Sequence, residues 1–235
     1  FTLANLTTAL KDPIYMQVLL RSVWIAFKAT VICLLLGYPI AWFLSTMRKS
    51  TAAILYILFI VPMWMNFLLR TYAWQAILDS AGILNVILEF FGLPPQHLLY
   101  TEGAIMLGTV YNFLPFMIYP IYNTLQKMDH SLIEAAQDLG ANPSQVFIKA
   151  VFPLSMPGVM SGIMMVFMPT ISTFAIAELL TMNNIKLFGT TIQENINNGM
   201  WNYGAALSLI MLLLIGITGL FSNESSDSAN EGGLI

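Results

Sequence analysis

SVWIAFKATVICLLLGYPIAWFLST, from Ser22 to Thr46, holds one charged side chain, Lys28, in a run that is otherwise uncharged and mostly apolar. About 20 residues at a rise of about 1.5 Å each cross the hydrocarbon core of a bilayer, so this stretch is long enough to span one as a helix. Lipid offers no partner to an exposed backbone N–H or C=O, and a helix satisfies its own. Working outward, the same pattern recurs at Ala52–Leu78, Gly103–Tyr122, Pro157–Met182 and Tyr203–Phe221. The expected fold is all-α: a polytopic transmembrane helical bundle of five spans, with no sheet. Composition agrees, since the 235 residues are 57% hydrophobic and only 9% charged, where soluble domains carry roughly a quarter charged. Mean hydropathy is +0.75. Nine Lys and Arg against twelve Asp and Glu, a net charge of -3, provide no basic field for a nucleic-acid backbone. The single cysteine, Cys33, lies inside the first run and has no partner in the chain for a disulfide.

Four of the runs carry an internal proline, at Pro39, Pro62, Pro115 and Pro169. Each removes a backbone donor and bends its helix, which suits a bundle that rocks open and shut. Arg48 and Lys49 after the first run, and Lys127 and Lys149 between the third and fourth, place those two loops on the cytoplasmic side. On the outer side Asn85–Phe91 reads as a short helix on the membrane surface. The polar stretch 222–235 buries too little apolar area to order itself and reads as a disordered tail. Residues 1–221 then form one transmembrane domain.

The loop from Lys127 to Met156 is far longer than the roughly 2–8 residues that join helices in bundles, so it has structure of its own. Ser131 and Glu134 stand at capping-box spacing and start a helix there. It runs through Ala135 and Ala136 to Gly140, the residue best suited to close a helix in the left-handed conformation. Asn142 caps a second segment with Pro143 in its first turn, and Pro153 is expected to end it.

Glu134-Ala135-Ala136, three residues and then Gly140 resembles the cytoplasmic EAA loop of ABC importer permeases. Where that family has Ile-x-Leu-Pro, this chain has Ala150, Val151, Phe152 and Pro153, so only the proline matches. Gly37–Leu44, Val61-Pro62 through Asn66 to Arg70, and Leu114–Met117 are most similar to the spermidine/putrescine permeases, and the similarity runs roughly from Phe1 to Phe221. The resemblance implies a type I importer permease of the bacterial cytoplasmic membrane. It implies a sixth helix ahead of the region that begins here, a second permease subunit, ATP-binding subunits docked on the 127–156 loop and an extracytoplasmic substrate-binding protein. Ser131, Glu134, Ala135, Ala136, Gly140 and Pro153 are the residues implied for coupling to the ATPase.

A polyamine carries several ammonium groups, and carboxylates and aromatic faces would ease its passage. Glu178 is the candidate carboxylate, with a structural pair to Arg70 as the alternative; Trp64, Tyr72 and Trp74 are candidate aromatic contacts, with anchoring at the membrane interface as theirs. Lys28 and Arg70, charges within spans, each need a partner or a reach to the headgroups. The chain has no Gly-x-x-x-x-Gly-Lys-Ser/Thr loop for ATP and no nucleophile–base arrangement, so it is expected to be no enzyme and to draw energy from a partner. Neither His97 nor His130 has a Cys or His at metal-ligand spacing, and no metal or cofactor is expected. Two rivals stand beside the polyamine importer: an ABC permease for sulfate, thiamine or ferric iron, and an ATP-independent channel or secondary transporter.

Overall fold

The computed structural model describes residues 4–182 and 184–231. A short α1 (Ala4–Lys11) precedes α2 (Pro13–Thr46), a single helix of 34 residues with Pro39 inside it. At about 1.5 Å per residue α2 is about 51 Å long, well beyond a hydrocarbon core of about 30 Å. It begins nine positions ahead of the expected Ser22, because Pro13–Arg21 is helical too.

The second expected span is not one helix. It is broken into α3 (Lys49–Ile60), a 3-10 turn over Val61–Trp64, and α4 (Phe67–Leu78), and the two parts are bent at the break. Pro62 cannot donate within the tight turn, and the Asn66 side chain accepts from the Leu68 N–H at 2.8 Å to start α4 afresh. The outer helix is α5 (Ile83–Phe90). Its buried Asn85 ties the loop on either side, donating to the carbonyls of Asp79, Ser80 and Gln96 and accepting from the Gln96 N–H at 2.8 Å.

Next come α6 (Glu102–Lys127), which absorbs both Pro115 and Pro120, and α7 (His130–Asp138) in the long loop. Helix α8 (Pro143–Ser172) then runs without interruption through Pro153, which overturns the expected stop there. The reason is local: Phe147–Val151 is wound as a π-turn, in which the Phe152 N–H bonds five residues back to the Phe147 carbonyl. That wider turn relieves the clash that a proline ring makes with the carbonyl four residues before it. The fourth span also ends earlier than expected, at Ser172 rather than Met182, and α9 (Ala175–Thr181) is a separate short helix. After α10 (Phe188–Asn197), α11 (Trp201–Glu231) is apolar enough to cross a membrane over Trp201–Gly219. Its backbone continues to Glu231 through most of the expected tail, as a long helix can propagate outward one bond at a time; residues 232–235 lie outside the described residues. Among the described residues, four helices meet the length and hydropathy of a membrane span, or five with the bent pair.

Two compact units divide the chain. The first takes residues up to Thr30 with Pro62–Asn112 and Phe167–Ile217; the second takes Val31–Val61, Phe113–Val166 and residues from Thr218. In the first, Ala26, Ile171, Phe188 and Leu207 are fully buried, and the Ser22 hydroxyl accepts from the Phe188 N–H at 2.7 Å. In the second, α6 and α8 approach closely because Gly158 and Gly162 leave room for Pro120, Thr124 and Met117.

Candidate functional site

The second unit presents the loop. Asp129, not Ser131, caps α7: its carboxylate accepts from the Ser131 N–H at 2.9 Å, and this corrects the expected Ser131–Glu134 box. A carboxylate beside the positive end of a helix satisfies the orphan donors as well as a hydroxyl does, and it stands two residues earlier. The other end closes as the glycine predicts. Gly140 has φ +82, its N–H donates to the Gln137 carbonyl at 2.8 Å, and the Ala141 N–H donates to the Ala136 carbonyl at 3.1 Å. These two bonds make a Schellman turn, the tightest closure available to a helix end. Asn142 and Gln145 form a reciprocal capping box at 2.8 and 3.0 Å, with Pro143 in the first turn.

Helix α7 packs on the first turns of α8 yet remains open to solvent: Ser131, Glu134 and Ala135 are exposed, Ala136 is half-buried, and Leu139 is 89% exposed. A groove lined by Thr124, Lys127, Met128, Asp129, Leu132 and Leu154 lies beside it. The π-turn sets Phe147 edge-on to Tyr38 at 5.9 Å and to Trp42 at 5.5 Å, both on α2. Two residues past Pro153, the Ser155 hydroxyl lies 2.9 Å from the Tyr38 hydroxyl. An exposed, rigid helix-turn-helix is thus pinned to the adjoining half of α2. Nothing in hydropathy marks Tyr38, Trp42 and Phe147 as partners; their aromatic clustering near one end of two spans was the available signal.

The first unit holds the aromatic and acidic candidates. Trp64 ends the 3-10 turn and is 85% exposed; Tyr72 is exposed; Trp74 is half-buried and meets Tyr111 of α6 edge-on at 5.3 Å. Glu178 lies in the first turn of α9, exposed, and α9 packs against α4. The alternative pair of Glu178 with Arg70 does not form. Arg70 is only 8% exposed, its Nε and Nη1 have no hydrogen-bond partner, and the ion pairs among the described residues lie elsewhere, at Lys28–Glu102 and at Lys186–Glu194, 2.7 Å. Burial also rules out a reach by Arg70 to the headgroups. Lys28 has instead found a partner that sequence reasoning missed: it donates to Glu102 and its ammonium lies 5.8 Å from the centre of the Trp24 ring. Trp24 four residues before Lys28 on one helix was a clue to the aromatic contact alone, since that spacing stacks side chains on one face.

Residues 15–227 match the family described as binding-protein-dependent transport system inner membrane component. The chain is 40% identical over 220 residues to the spermidine/putrescine transport system permease protein PotB of Escherichia coli (strain K12), covering 92% of this chain and 80% of that protein. PotB of Haemophilus influenzae is 38% identical over 219 residues, with 92% and 76% covered. The inner membrane ABC transporter permease protein YdcU of Escherichia coli is 30% identical over 230 residues, with 92% and 73% covered. Among solved structures, a bacterial ABC transporter that imports the acidic polysaccharide alginate superposes with a TM-score of 0.74 at 14% identity, over 97% of this chain and 84% of that one. The MetNI methionine ABC transporter superposes at 0.65 with 15% identity, over 93% and 99%. At such identities these last two speak for the fold alone.

Proposed function

The chain belongs to the family of binding-protein-dependent transport system inner membrane components, and from that membership we propose that it carries spermidine and putrescine inward as one permease of an ATP-driven importer. It is an ABC importer permease, a multi-pass protein of the inner membrane. The observation that carries the substrate is the 40% identity to PotB along 92% of the chain. The exposed carboxylate of Glu178 and the aromatic rings of Trp64, Tyr72 and Trp74, all in the first unit, supply the chemistry that attracts a chain of ammonium groups.

In this reading the partners are a second permease, a pair of ATP-binding subunits and an extracytoplasmic binding protein. The ATP-binding subunits engage α7, where Leu132 and Leu139 offer apolar contacts and Glu134 a charge on the exposed helix. Closure of the ATPase pair displaces α7; the Schellman turn at Gly140 and the cap at Asn142 pass the displacement to α8 with little slack. Phe147 and Ser155 carry it to α2 through Tyr38 and Trp42. Both α2 and α8 run on from the second unit into the first, so the motion reaches the segments that hold the candidate contacts along continuous backbone. Those contacts are then offered alternately to the two sides of the membrane.

The test is uptake of labelled spermidine by cells carrying the complete importer, against cells lacking only this subunit, with ATP depletion as control. Uptake lost on removing the subunit and on removing ATP is the expected result. Unchanged uptake without the subunit overturns the polyamine assignment and returns the cargo to sulfate, thiamine or ferric iron.

A further inference from the structure

Lys28 is a primary ammonium on a flexible alkyl stem, held by a carboxylate and an aromatic face. Its Nζ donates to Glu102 and lies 5.8 Å from the centroid of Trp24, which is itself stacked on Phe27 with ring centroids 5.8 Å apart and planes 18° from parallel. That is the pair of groups that binds alkylammonium ions in general: a charged acceptor for the N–H donors and a π-face for the positive charge. The cradle is accessible, with the side chains of Lys28 and Glu102 32% and 41% exposed and the Trp24 and Phe27 rings more than half exposed. Glu102 opens α6, where the positive end of the helix stabilises a carboxylate without occupying its second oxygen. Glu102 is the first residue of α6, and the loop that contains α7 follows its last, Lys127.

We propose that the Trp24–Glu102 cradle is an entry site for one terminal ammonium of a polyamine, and that Lys28 occupies it as a tethered stand-in when cargo is absent. The proposal rests on the polyamine reading of the preceding subsection and deepens it. Being attached to the same helix as Trp24, the Lys28 ammonium competes at a high effective concentration, as any linked ligand does. Arriving cargo must displace it. A freed Lys28 then repels the incoming cation from behind, which favours onward movement over prolonged residence. A pair that merely stabilises the fold makes the opposite demand: removing Lys28 would leave Glu102 uncompensated and weaken everything that depends on the fold.

Initial rates of labelled spermidine uptake by cells with the complete importer separate the two, with subunit abundance measured in the same membranes. Lys28→Met should lower the KM by roughly three- to thirtyfold, the span covered by an accessible ion pair together with a cation–π contact. Glu102→Gln should raise it, and Lys28→Met should bring no gain in the Glu102→Gln background. Lys28→Arg keeps the pair and its packing, so it reports even if Lys28→Met fails to accumulate; a fork-shaped competitor that grips Glu102 through two bonds should raise the KM. A KM unchanged or raised in Lys28→Met, or unchanged in Lys28→Arg, overturns the cradle while leaving the polyamine importer standing. No spermidine uptake by the unaltered importer overturns both.

Discussion

Gly140→Ala isolates the turn that closes α7. At φ +82 the backbone is in the left-handed region, and no atom lies within 4 Å of where a Cβ would stand, so the substitution brings strain without a clash. The left-handed conformation costs an L-residue about 1–2 kcal/mol, and about 0.4–1 kcal/mol is offset because alanine has less freedom than glycine in the unfolded chain. The net, on the order of 1 kcal/mol, lowers the closed-to-open equilibrium constant of the turn by roughly two- to tenfold. Gly92 at φ +73 and Gly199 at φ +79 are matched controls, each equally open around the missing Cβ and each outside the loop. In proteoliposomes containing the complete importer, the ratio of spermidine taken up to ATP hydrolysed should fall in Gly140→Ala, by up to about tenfold. Gly140→Asn should fall less, since asparagine tolerates the left-handed region. Gly92→Ala and Gly199→Ala should leave the ratio intact. Equal losses in all three alanine variants, or a normal ratio in Gly140→Ala, would refute the claim that this turn transmits force.

Three further outcomes follow from the packing. Gly158→Ala should lower the thermal midpoint by the equivalent of about 1–3 kcal/mol, because its Cβ would stand 2.7 Å from the Pro120 carbonyl and α6 and α8 would have to part; adding Thr124→Ala should not restore the midpoint, since the obstruction is backbone. Ser22→Ala strands the buried Phe188 N–H and should cost about 1–3 kcal/mol in the same melt, with Ser22→Thr recovering part of it; an unchanged melt would show that the bond is dispensable. Glu178→Gln should impair spermidine uptake while the subunits still assemble, and normal uptake kinetics would remove Glu178 from the pathway.

Much of the architecture was legible because lipid imposes a simple rule, and runs such as Ser22–Thr46 and Gly103–Tyr122 obey it. What was misread turned on single backbone groups. Pro62 reads like Pro39, yet Pro39 lies within a continuous helix while Pro62 sits in a tight turn followed by Asn66, whose side chain restarts a helix. Hydropathy is blind to that difference. Pro153 reads as a stop and is carried through by one widened turn, which leaves no mark in composition. The cap of α7 is Asp129 rather than Ser131 because two residues near the start of the helix carry acceptors and spacing alone does not rank them. The Lys28–Glu102 pair joins residues 74 positions apart, a distance at which periodicity within a helix carries no information.

The widened turn at Phe147–Val151 also gives α8 a tolerance of length that its regular turns lack. A π-turn holds one residue more than the α-turn it replaces, so deleting one residue there would let the helix close into regular α geometry with the segments before and after it facing nearly as they do now, whereas the same deletion in a regular turn swings them by about 100° around the axis. What such a deletion would lose is the relief of Pro153, whose ring would again meet the carbonyl four residues before it. A one-residue deletion between Val146 and Phe152 should therefore change the direction of α7 far less than one in the regular turns after Pro157, and its cost should fall on Pro153 instead.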